Sequence, residues 1–154
     1  MADDQTPAFD VTSRPALVCV DAGNRQTTVT AALTELGYAP DVPPASADAI
    51  DRLRKTGYAV VIVDETYEGG TPLDNPVLKA LAGLSMQVRR YMFVVLLGAD
   101  VKTLDHAAAF SRSVNAVVNV NDVGQLAPAL RRAIADNDAF YRVFREVLAA
   151  AGKR

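Results

Sequence analysis

The stretch Tyr58-Ala59-Val60-Val61-Ile62-Val63-Asp64 decides the fold. Five apolar residues run from Ala59 to Val63 without polar alternation, as in a strand covered on both faces of a sheet. The run ends abruptly on Asp64-Glu65. Upstream, Leu17 to Val20 is a second such run, ending on Asp21. Downstream, Met92 to Leu97 ends at Gly98, and Ala116-Val117-Val118-Asn119-Val120 supplies another. Between these runs the apolar period changes to that of a helix. Val29, Ala32, Leu33 and Leu36 predict a helix over 25–36, with Gly37 where a helix end wants positive φ. Ser46 is a plausible N-cap for a second helix carrying Ile50 and Leu53 and closed by Gly57. Asn75-Pro76 opens a third helix, expected over 76–89, and a fourth is expected over 102–113. A last helix begins near Gly124.

The segment Ala39-Pro40-Asp41-Val42-Pro43-Pro44 is broken by proline, which confines it to a sheet edge. Strands alternating with helices predict βαβ units and a parallel sheet wrapped on both sides. With the proline-broken strand at an edge, the expected architecture is a flavodoxin-like doubly wound (βα)5 fold, strand order 2-1-3-4-5. The expected division is a flexible arm over 1–14, the domain over 15–135 and a helical extension over 136–154.

The 154 residues suit one domain, with 50% apolar and 22% charged residues. The formal charge of -2 and the scattered basic residues argue against nucleic acid as a partner. No apolar run is long enough for a membrane span, and the acidic start is unlike a signal peptide. The lone Cys19, inside a strand, reads as a core residue and fits a reducing compartment, so a cytoplasmic location is expected. His106 stands without a second histidine or a cysteine near it and reads as a surface or half-buried residue.

Ligands of open parallel sheets bind beyond the carboxyl ends of the strands, between the first and third. Asp21 and Asp64 end those two strands, and carboxylates there are suited to a hard divalent cation. Asp100 and Asp122 follow the fourth and fifth strands but read as helix caps.

Val20-Asp21, then a helix closing on Leu36-Gly37-Tyr38, then Tyr58 to Asp64, resembles a response-regulator receiver domain of bacterial two-component signalling over residues 15–135. The resemblance implies that Asp64 occupies the phosphoacceptor position and that Asp21 belongs to the acidic pair holding Mg²⁺. It also exposes departures. Ala22 stands in place of the second acid. Gly98 stands where a serine or threonine is expected, and no Ser or Thr occurs from 92 to 102. Asn119 and Asn121 lie where a lysine is expected, and no lysine occurs from 103 to 152. Phosphoryl transfer depends on positioning and charge neutralisation, and these losses remove both. The expectation is a pseudo-receiver, not an enzyme, with Asp21 and Asp64 holding Mg²⁺ weakly if at all and no other cofactor. The alternatives are a working phosphoreceiver using Asp64, and a small-molecule-binding α/β domain. Without a lysine, Asp64 is expected to repel Asp21, so that asparagine at 64 is neutral or slightly stabilising.

Past 135 the helical pattern continues through Phe140, Tyr141, Phe144, Val147 and Leu148. A helix from 125 to 150 would be ~38 Å long, longer than the sheet covers. Either it bends at Asp136-Asn137-Asp138 and folds back, or its stripe projects as an interaction surface. The resemblance implies contact with a signalling protein or a second copy through the fourth helix, fifth strand, last helix and extension.

Overall fold

The structure, a computed structural model, describes residues 14–71 and 73–152. The expected arm lies outside the described residues except for Arg14, which already belongs to the first strand. Five parallel strands, β1 (Arg14–Cys19), β2 (Tyr38–Asp41), β3 (Val60–Asp64), β4 (Phe93–Gly98) and β5 (Ala116–Asn119), form one sheet. Their order is β2-β1-β3-β4-β5, as the proline-broken edge strand predicts. Pro40 sits in β2, where one side of the strand has no ladder to complete.

Alternate residues of the central strands fill two cores. Leu17, Cys19, Val61, Val63, Val94, Leu96 and Val117 face α2 (Ser46–Lys55), α3 (Pro76–Ala82) and α5 (His106–Ser111). Ala16, Val18, Val60, Ile62, Val95, Leu97 and Val118 face α1 (Asn24–Glu35) and α6 (Leu126–Ala150). Cys19 is fully buried, and burial with the nearby Asp41 charge pushes its thiol up to about 12. It is therefore a core residue and no nucleophile.

Local chemistry sets the helix bounds and corrects several of the expected ones. Asn75 caps α3 through its Oδ1, which accepts from the Val77 and Leu78 amides at 3.0 and 3.1 Å. Its Nδ2 donates to the carbonyls of Asp64 and Glu65, so it also pins the chain leaving β3. The single helix expected over 76–89 is two, because the chain breaks at Gly83 and restarts as α4 (Met86–Arg89) on a Ser85 cap. Ser46 is the first residue of α2 and not its cap; its amide donates to the Glu68 carboxylate at 2.8 Å. Asp105, not Asp100, caps α5. Asp122 lies within a 3-10 turn, Val120–Gln125, and accepts from the Thr103 hydroxyl.

Candidate functional site

The crevice expected at the ends of β1 and β3 is present, about 250 Å³ between Asp21, Ala22, Gly23, Arg25 and Asp64. Asp64 faces the α1 side and is 2% exposed. Its Oδ1 accepts from the Thr66 amide at 3.0 Å and the Thr66 hydroxyl at 2.8 Å. Its Oδ2 pairs with Arg25 Nη1 at 2.5 Å. This corrects the expectation of an unpartnered Asp64 that repels Asp21: the counter-charge comes from the first turn of α1, not from β5. The signal was available, since Arg25 lies four residues past Asp21 at the start of the helix bordering the crevice. Asp21 is exposed and accepts from the Glu68 amide at 3.0 Å. Glu68 adopts a positive φ of 52°, held by that contact and by its own bond to Ser46. The Ser46 amide keeps the Glu68 carboxyl below its ordinary range.

These donors do not fit a magnesium ion as they stand. Mg²⁺ wants free carboxylate oxygens in octahedral array. Both oxygens of Asp64 are engaged, and among the described residues no three His, Cys, Asp or Glu side chains gather.

On the opposite face of β3, Glu65 is 4% exposed. Its Oε1 pairs with Arg112 at 3.1 Å, and its Oε2 accepts from the Ala99 amide at 3.1 Å. Gly98 makes room for it: a Cβ there would stand 3.1 Å from Oε1 and 3.2 Å from Cδ and Oε2. Gly98, read from the sequence as standing where a hydroxyl is expected, thus leaves space that the Glu65 carboxylate fills. Asn119 does not reach Asp64. Its Nδ2 donates to the carbonyls of Ala99 and Val101, its amide donates to Thr103 Oγ1, and its Oδ1 accepts from Asn121. Asn119 therefore ties the end of β5 to the loop after β4, and the Asn121 amide is used in the same turn.

In the core on the α2 and α3 side of the sheet, Tyr67 is buried, and among the described residues nothing hydrogen-bonds its hydroxyl. Burial raises the pKa of that hydroxyl. Tyr67→Phe removes the orphan donor without opening a cavity, and is expected to raise stability by about 1 kcal/mol in urea denaturation.

The C-terminal stripe is placed by α6, which runs unbroken for 25 residues through Asp136–Asp138. Phe140, Phe144 and Val147 are exposed, joined by Val143, which the sequence reading passed over. Tyr141 and Leu148 are half-buried and turn to the side of the stripe. Phe140 also forms one wall of a cleft of about 610 Å³ between α5 and α6, with His106, Arg132 and Asp136.

No protein-family model matches the chain, and no curated protein matches it at a significant level. Solved structures do. The receiver domain of the sensor histidine kinase PA1611 from Pseudomonas aeruginosa, with magnesium coordinated in its active-site cleft, is 18% identical. The alignment covers 80% of this chain and 98% of that one, with a TM-score of 0.60. A response regulator from Thermotoga maritima matches at 15% identity over 80% of this chain and 98% of its own, with a TM-score of 0.59. The chemotaxis response regulator CheY4 of Vibrio cholerae gives 15%, 79%, 99% and 0.56. The fold is that of receiver domains. Among the described residues no helix is long and apolar enough to cross a membrane.

Proposed function

We propose that this chain is a receiver-like signalling module that works by protein–protein contact, independently of phosphorylation at Asp64. The observation that carries the reading is the ion pair between Asp64 and Arg25. An acceptor aspartate must offer a free oxygen to a donor phosphorus beside a metal and a cation. Here one oxygen is bound to a guanidinium and the other to Thr66. Ala22 and Gly98 remove two further parts of that chemistry, and Asn119 is spent on the loop after β4. The module takes no cofactor in this reading, catalyses nothing and resides in the cytoplasm. Its contacts lie on α5, β5 and α6.

Incubation with acetyl phosphate and Mg²⁺, followed by intact mass, tests this. The expected result is an unchanged mass. A gain of one phosphoryl group, lost in Asp64→Asn, would establish instead a working phosphoreceiver.

A further inference from the structure

We propose that the outer half of α6 pairs antiparallel with the same helix of a second copy of this chain, making the protein a weak homodimer. The proposal rests on the reading that the chain acts through protein contacts, and it names the partner. Leu126, Ala127 and Leu130 anchor the start of α6 in the core, but from 135 to 150 none of the residues whose burial is described is buried. Over that length four large apolar side chains face solvent: Phe140 at 66%, Val143 at 58%, Phe144 at 47% and Val147 at 59% exposure. Their spacing of 3, 1 and 3 puts them on one face of the helix.

Area argues for a helix as the occupant. Two phenylalanines and two valines exposed to this degree offer roughly 400 Å² of apolar surface, beyond what scattered surface residues need. With the flanks of the stripe, two such faces together approach the roughly 1,000 Å² at the low end for a specific interface. That suits a two-helix contact and falls short of docking a large partner.

The sequence of the stripe is complementary to itself when reversed. Antiparallel pairing centred on position 145 sets Val143 against Val147 twice, and Phe140 over the small Ala150. Charge selects the same direction. The segment opens with Asp136 and Asp138. Parallel pairing would set each aspartate beside its own copy, whereas the antiparallel arrangement keeps these acids apart and opposes the two helix dipoles. It also leaves the two sheets at opposite ends of the pair, clear of one another.

Sedimentation velocity on the full chain over a range of concentrations tests the proposal, with circular dichroism confirming that each variant is folded. The wild type is expected to show a monomer–dimer equilibrium in the micromolar range. Val143→Lys with Val147→Lys should weaken it at least a hundredfold. Val143→Lys with Val147→Glu should dimerise at least as well as the wild type, because antiparallel pairing sets each lysine against a glutamate. Phe140→Ala, a milder change to an exposed side chain, should weaken association about tenfold. A wild type that stays monomeric at high concentration, or a double-lysine variant that still dimerises, overturns the proposal. If the lysine–glutamate variant stays monomeric, the antiparallel direction is wrong. None of these outcomes bears on phosphorylation, which the mass measurement decides separately.

Discussion

Replacing Arg112 with alanine is expected to destabilise the domain by about 3 kcal/mol, because it leaves the Glu65 carboxylate buried with one backbone amide as its only partner. The figure is at the low end for breaking a buried pair, since Arg112 is itself 30% exposed and water can partly replace it. For a chain of 154 residues this corresponds to a fall of about 6–12 °C in Tm. Replacing both partners, as Glu65→Leu with Arg112→Leu, should recover most of the loss, because no orphan charge remains. Urea denaturation of the three chains measures this. If Arg112→Ala costs under about 1 kcal/mol, the pair is solvated like a surface salt bridge and does not hold α5 to the sheet. Gly98→Ser, which restores a hydroxyl at the end of β4, should also destabilise, by about 1–3 kcal/mol of overpacking. Its Cβ would meet the carboxylate at 3.1 Å.

The framework was legible in the sequence because buried parallel strands are written as unbroken apolar runs. Ala59 to Val63 could be nothing but a covered strand, and Pro40 could only sit at an edge. Asp64 and Asp21 were found because they end those strands at the place where such sheets bind ligands. The partners of the acids were harder to read than the acids themselves. Arg25 and Arg112 are separated from Asp64 and Glu65 by 39 and 47 residues, and such pairings depend on how helices lie across the sheet. Gly98 was read as the loss of a hydroxyl. Its second consequence, space for a glutamate from the neighbouring strand, appears only when β3 and β4 are set in register. Helix ends were missed for a related reason. Ser46 satisfies the local rule for a cap, but Glu68, 22 residues away, takes its amide. Continuity of α6 through Asp136-Asn137-Asp138 is a case where three weak helix formers did not suffice to break a helix.

Arg25→Ala is expected to cost about 2 kcal/mol and to make the domain responsive to Mg²⁺, whereas the wild type is not. Asp64 has only 3% of its side chain exposed, so without Arg25 its charge is held by Thr66 alone. The cost lies below the usual range for a broken buried pair because Arg25, 40% exposed, leaves a gap that water can enter. Asp64→Asn should lose less, about 1 kcal/mol, since the amide oxygen still accepts from Thr66 and the freed guanidinium reaches solvent. The two substitutions together should cost less than their sum, as expected of residues in direct contact. The freed carboxylate in Arg25→Ala faces the same 250 Å³ crevice as Asp21 and offers oxygen to a hard cation. Millimolar Mg²⁺ should then raise the Tm of Arg25→Ala by mass action and leave that of the wild type and of Arg25→Ala/Asp64→Asn unchanged. Thermal denaturation with and without Mg²⁺ measures all three. An equal rise in the wild type would mean that Arg25 yields its place to the metal, so that Asp64 is open to the chemistry the ion pair argues against.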